Sequence, residues 1–260
     1  MIDIDGMLAD LRAEGDDLDA LVAGLPAAGW ATATPAEGWT IAHQIAHLAW
    51  TDEQAIVAAT DAGAFDGLLK EALADPGGYV ERGAVDGAAE EPAVLLARWR
   101  SGRRRMVDAL AALPAGTKVP WFGPSMSVAS MVTARLMETW AHGQDVADAL
   151  GAERVPAARL RHVAHIGVRT RDFAFRGHGL TPPETEFRVV LTAPDGQEWA
   201  WGPADAAQTV TGPALDFCLL VTQRRNRADL ALTVDGPEPD TWLDIAQAFA
   251  GPPGSGRPAS

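Results

Sequence analysis

Residues 127–150, SVASMVTARLMETWAHGQDVADAL, constrain the fold of this 260-residue chain more than any other stretch. The run reads as a helix from Ser127 to Leu150, stopped by Gly151, with Val128, Met131, Val132, Leu136, Met137, Trp140 and Val146 distributed around its whole circumference. A helix that is apolar on every side is usually buried among other elements. Its polar residues Arg135, Glu138, His142 and Asp145 follow one another at steps of three, four and three, which is a single stripe. That stripe is either the only wet edge of the helix or a polar seam facing inward. The seam is favoured, because buried charges persist mainly when they are paired or bound to metal.

Several helices must surround such an element. One is expected from Asp3 to about Leu25, with Leu8, Leu11, Leu18, Leu21 and Val22 on one stripe before Pro26. Thr40 is a plausible N-cap for a second, IAHQIAHLAWTDEQAIVAA. Residues 64–74 suggest a short helix, and residues 76–89, with four glycines and Tyr79, read as a loop. A further helix begins near Pro92 and carries Leu95, Trp99, Met106 and Leu110. A loop, PAGTKVPWFGPSMS, leads to the stripe-bearing helix, and a fifth long helix is expected over 156–175. From Glu184 the periodicity changes. EFRVVLT and EWAWG flank a PDG turn as a hairpin, QTVTG and ADLALTVDG read as strands, and PALDFCLLVTQRR and PDTWLDIAQAFAG as helices. The expected fold class is therefore α+β: a helical bundle over 1–180, a small α+β domain over 181–252, and a flexible tail over 253–260.

Composition narrows the function. Thirty-five acidic against 21 basic residues give a formal charge of −14, which repels phosphate backbones and anionic lipid, so nucleic acid and membrane surfaces are not expected partners. Only Lys70 and Lys118 are lysines, and abundant Ala and Gly accompany them, as in a GC-rich genome such as an actinobacterial one. Cys218 alone cannot form an internal disulfide or a multi-cysteine zinc site. The acidic start of the chain and the lack of an apolar run of ~20 residues point to a soluble, cytoplasmic protein.

Two constellations carry possible chemistry. His43 and His47 lie four apart on the second helix, and Glu138 and His142 four apart on the stripe-bearing helix, so each pair occupies one helical face. A carboxylate with two or three imidazoles is a typical shell for a divalent cation. A competing geometry remains open, since Ile41, Ile45, Leu48 and Ile56 gather opposite His43 and His47 and would leave both imidazoles on a solvated face. A zincin helix needs His-Glu-x-x-His, and Gln44 after His43 cannot serve as its general base. No Gly-x-Ser-x-Gly elbow, Walker loop or dinucleotide fingerprint occurs, and Cys218 falls in an amphipathic helix where a buried, inert thiol is the common state.

Trp39-Thr40 followed by His47-Leu48, together with ETWAHGQD over Glu138–Asp145, resemble the two signatures of the mycothiol-dependent maleylpyruvate isomerase family, within the DinB-like metal-binding bundles. The resemblance spans most of the chain, because members of that family commonly attach a small α+β domain. It implies an up-down bundle in which His47, Glu138 and His142 hold a divalent metal, zinc by preference, with coordination positions left for a low-molecular-weight thiol such as mycothiol. It further implies thiolate addition to the double bond of a small unsaturated carboxylic acid, then rotation and elimination, or else permanent thiol transfer. A non-catalytic metal or small-molecule binding protein on the same fold is the alternative, and an interaction module whose stripe is ordinary surface is a third.

His43 has no counterpart in the family pattern and stands as a substrate contact, a hydrogen-bond partner of a ligand, or an ordinary helix residue. Asp145 is a candidate to accept the other ring N–H of His142. Dicarboxylates need cationic forks, for which Arg103, Arg169 and Arg224 are candidates, with His165 beside them.

Overall fold

The computed structural model describes residues 3–114, 116–254 and 256–259, and its chain divides into two compact units, Met1–Arg154 and Val155–Ser260. The first unit contains α1 (Ile4–Val22), α2 (Ile41–Thr60), α3 (Ala62–Ala74), α4 (Tyr79–Ala88), α5 (Pro92–Ala111), β1 (Lys118–Val119), β2 (Met126–Ser127) and α6 (Val128–Leu150). The four long helices close a ring: α1 packs on α5 and α6, and α2 packs on the same two. Leu18, Ile41, Ile45, Leu48, Leu95, Trp99 and Val146 form part of the shared core, so the expected bundle is present.

Local chemistry sets the helix ends. Asp3 Oδ1 accepts from the Gly6 N–H at the start of α1, Pro92 occupies the first turn of α5, and Ser127 Oγ accepts from the Ser130 N–H at the start of α6. Gly151 ends α6 at φ +62°, a left-handed conformation that glycine adopts without a Cβ penalty. The first helix stops at Val22 rather than Leu25, and residues 27–31 tighten into a 3-10 turn.

The expectation of a loop over 76–89 is incorrect, because most of it is α4. Its glycines serve packing. A Cβ at Gly83 would lie 2.6 Å from the Trp50 ring, and one at Gly87 would lie 2.9 Å from the Ala46 Cβ. Absence of those side chains is what lets the α4 backbone rest directly on α2. The connection before α6 is also more ordered than expected, since β1 and β2 pair Lys118 with Ser127 and Val119 with Met126.

The second unit contains α7 (Leu160–Arg169), α8 (Arg171–Gly177), β3 (Arg188–Thr192), β4 (Glu198–Trp201), β5 (Thr209–Pro213), α9 (Ala214–Val221), β6 (Thr233–Asp235) and α10 (Pro237–Ile245). The sheet order is β4-β3-β5-β6, with β3 and β5 parallel and the outer pairs antiparallel. Val189, Leu191 and Val210 point into a core shared with Phe187, Phe217 and Trp242. The expected fifth long helix is two, α7 and α8, which meet at Thr170.

The boundary expected near 180 is displaced to Arg154/Val155, because α7 packs on α9 and so belongs to the α+β unit. Gly167 makes that approach possible, as a Cβ there would come within 2.8 Å of Val221. Of the strand expected over ADLALTVDG only β6 forms, preceded by a 3-10 turn at 227–229. The tail expected to be flexible over 253–260 has no regular structure, yet Asn226 Nδ2 donates to the Arg257 carbonyl at 2.8 Å; Ser255 and Ser260 lie outside the described residues. No helix among the described residues is long and apolar enough to cross a membrane.

Candidate metal centre

The polar stripe of α6 is an inward seam. Arg135 is 2% exposed and Asp145 1%, and both lie inside the bundle. At the lower level of the seam the Arg135 guanidinium meets α2: its Nη2 donates to Asp52 Oδ1 at 2.9 Å and to Thr51 Oγ1 at 2.7 Å, and its Nε to Asp52 Oδ1 at 3.2 Å. Burial pushes the Asp52 carboxyl up against the pull of Arg135.

One turn further along α6 the stripe carries Glu138 and His142, and α2 delivers His47 to the same point. Glu138 Oε2 stands 3.2 Å from His142 Nε2 and 3.6 Å from His47 Nε2, and the two imidazole centroids are 4.5 Å apart. One ligand atom from each of the three residues lies within 4.8 Å of the others. His47 is 8% exposed, so the solvated-face geometry does not occur. Burial alone would raise the Glu138 carboxyl, but hydrogen bonds and charge from His142 and His47 outweigh it and hold the group well below the usual carboxylate range.

The donor set fits a cation. His142 Nδ1 faces the side-chain amide oxygen of Gln44, an acceptor only, so that nitrogen carries a proton; Nε2 faces the Glu138 carboxylate, to which it donates a second proton unless a cation takes that place. His47 Nδ1 is buried without a hydrogen-bond partner among the described residues, and its Nε2 also faces Glu138. Two imidazole lone pairs and a carboxylate directed at one point repel unless a proton or a metal ion lies between them. Two nitrogens and one oxygen are donors suited to zinc and related divalent ions.

Trp39 forms a wall of this cluster. Its ring stacks on His142 at 5.9 Å and 20°, lies 5.4 Å from His47 and 6.2 Å from His43, and its indole N–H donates to both oxygens of Glu81 on α4.

The remaining candidates lie elsewhere. His43 occupies the first turn of α2, where its Nδ1 accepts from the Thr40 N–H at 3.3 Å and pairs with Thr40 Oγ1 at 2.9 Å, so it closes the helix start. The partner of His142 Nδ1 is Gln44, not Asp145 as the sequence suggested. Arg103 is engaged by Asp16 at 2.8 Å and Asp19 at 3.2 Å and lies over the Trp99 ring, which occupies the charge that a substrate would need. His165, Arg169 and Arg224 belong to the second unit. His165 Nδ1 accepts from Trp201 Nε1, with burial foremost and Arg169 next depressing its pKa. Arg169 closes α7, and an Arg224 N–H donates to the Thr222 carbonyl. Cys218 is fully buried, with burial pushing its thiol pKa up, as expected of an inert side chain. Sequence reasoning missed Gln44 as a partner of the cluster. Its signal was its place three residues before His47, on a neighbouring face of the same helix.

The profile of the mycothiol maleylpyruvate isomerase N-terminal domain matches residues 11–147, more than half of the chain. The chain belongs to that family. Two proteins of Mycobacterium tuberculosis, both described as uncharacterized and coming from strains CDC 1551 and H37Rv, are each 59% identical over 257 residues, covering 99% of this chain and 100% of the relative. Among solved structures, the mycothiol-dependent maleylpyruvate isomerase superposes with a TM-score of 0.61 at 16% identity, covering 91% of this chain and 96% of the other. A histidine-to-alanine mutant of that enzyme gives a TM-score of 0.59 at 17% identity over the same shares. At these identities the likeness establishes the fold. A second profile, described as wyosine base formation, matches residues 183–233 in the α+β unit.

Proposed function

We propose that this protein is a metal-dependent enzyme that employs a low-molecular-weight thiol of the mycothiol type on a small unsaturated carboxylic acid, as an isomerase or a thiol transferase. The observation that carries the reading is the convergence of His47, Glu138 and His142 from two helices on one point, in a member of the maleylpyruvate isomerase family.

In this reading His47 and His142 hold the ion through Nε2 and Glu138 through a carboxylate oxygen. Three protein ligands leave positions for exogenous groups, as at catalytic rather than structural sites. A divalent cation there, zinc by preference, supplies stabilisation of a thiolate at neutral pH. Trp39 shields one side of the cluster from water. For a cis-unsaturated acid, the thiol sulfur bonds one alkene carbon and a proton goes to its neighbour. Rotation about the new single bond and loss of the same proton and sulfur give the trans isomer and regenerate the thiol, whereas retention of the C–S bond is transfer. The lone buried cysteine fits a reducing compartment, and we assign the protein to the cytoplasm.

The test has two stages. Elemental analysis of the purified protein is expected to show one divalent metal per chain, lost in His47→Ala and Glu138→Ala. Incubation of the metal-loaded protein with mycothiol and a panel of cis-unsaturated acids is expected to yield the trans acid or a thioether. Stoichiometric metal without turnover of any acid would replace this reading with that of a binding protein, and wild-type protein that takes up no metal would remove both.

A further inference from the structure

Gln44 lies outside the ligand set, yet its geometry decides which nitrogen of His142 is turned toward Glu138. The Gln44 side chain is fully buried, and both ends of its amide are occupied. Its Nε2 donates to Thr34 Oγ1 at 2.9 Å, and that hydroxyl donates in turn to the Trp39 carbonyl at 3.0 Å. A hydroxyl has one proton, so Thr34, having given it to Trp39, can only accept from Gln44. The amide is therefore locked with nitrogen toward Thr34 and oxygen toward His142, and the opposite flip would set two donors against each other on one side and two acceptors on the other. Gln44 Oε1 then accepts only from an Nδ1–H. The chain Trp39 carbonyl, Thr34, Gln44, His142 runs in one direction and ends with the Nδ1–H of His142 on Gln44, which leaves Nε2 as the nitrogen that faces Glu138.

We infer that Gln44 is a positioning residue that fixes the Nδ1–H tautomer of His142, through an amide oriented by Thr34, so that Nε2 is available to a metal ion. The inference rests on the metal-binding reading above. Partners that hold the far nitrogen of a ligand histidine typically contribute about 10–100-fold in metal affinity. Sequence reasoning set Gln44 aside because an amide cannot act as a general base. Its oxygen needs only to accept, which an amide does at every pH.

The test uses the full chain, with zinc affinity measured by competition against a chromophoric chelator at pH 7.5, and long-range proton–nitrogen NMR of the His142 ring in metal-free protein. Wild type is expected to show Nδ1 protonated. Gln44→Met, close in volume but with only a weakly accepting thioether, is expected to bind zinc about 10–100-fold more weakly and to lose the fixed proton on Nδ1. Gln44→Glu, which retains the acceptor, is expected to stay within a few fold of wild type. Equal weakening in the Met and Glu variants, no weakening in Gln44→Met, or an unprotonated Nδ1 in wild type would each overturn the inference. The ring spectrum needs no metal and no substituted protein, so it decides the matter even if Gln44→Met fails to fold. Failure of wild type to bind zinc with the Nδ1–H tautomer intact would refute the metal reading and with it the use assigned to Gln44.

Discussion

Two buried polar layers sit one turn apart on α6 and face the same helix, α2, but they are completed differently. In the Arg135 layer a guanidinium meets Asp52 and Thr51, so opposite charges and hydrogen bonds close the group on itself. In the His142 layer Glu138 pairs with His47 and His142 and with no lysine or arginine among the described residues, and His47 Nδ1 is left without a partner among them. The first layer is self-sufficient and joins the helices. The second is built only from groups that can also ligate a cation, and that contrast separates a structural ion pair from a candidate site on a shared stripe.

The contrast breaks most visibly at Arg135. Arg135→Met leaves the Asp52 carboxylate buried and uncompensated, and is expected to cost about 3–5 kcal/mol in urea denaturation at pH 8. Because burial already pushes Asp52 upward, the carboxyl can escape by taking a proton, so the deficit should shrink toward pH 5. The double variant Arg135→Met, Asp52→Leu should recover most of the loss, since a buried pair exchanged for apolar residues is often near neutral.

The second layer should respond in the opposite sense. Zinc at one hundred times its dissociation constant is expected to stabilise wild type by about 2.7 kcal/mol, an increment that chelation reverses and that Glu138→Gln abolishes. A Glu138→Gln protein that zinc still stabilises equally would erase the distinction between the layers.

A smaller effect comes from a third polar group, the partly exposed Asp19, which Arg100 and Arg103 hold between α1 and α5. Hydrogen bonding from Arg100, followed by the charges of Arg100 and Arg103, keeps the Asp19 pKa below 3.8 despite its burial. A carboxyl depressed in the folded state adds stability that is complete above its unfolded pKa and is lost as pH falls through the folded one. Asp19→Asn should therefore flatten the fall in unfolding free energy below pH 3.8 while leaving the metal increment unchanged.

Much of this was legible in the chain. The stripe Arg135, Glu138, His142, Asp145 on an otherwise apolar helix implied an inward seam, and burial of Arg135 and Asp145 agrees. The hairpin of β3 and β4 followed from period-two alternation around a PDG turn. The glycines of α4 misled, because glycine signals both a loop and a helix pressed against a bulky neighbour, and Trp50 is 33 residues from Gly83 in sequence. Arg103 misled for a similar reason: its position on an apolar face was correct, but Asp16 and Asp19, which neutralise it, lie on a helix more than 80 residues away.

Sequence alone determined the helical periods, their caps and stops, the acidic balance and the ligand types at four-residue spacing, since each depends on neighbours within a turn or two or on composition. Only the tertiary structure decided that Arg135 is closed by Asp52 while Glu138 meets imidazoles and no lysine or arginine among the described residues, that His47 turns inward, and that an amide rather than a carboxylate holds the far nitrogen of His142. Those outcomes depend on the register between α2 and α6, which is set by side-chain packing across residues some 90 positions apart, and no local pattern encodes such a register by itself.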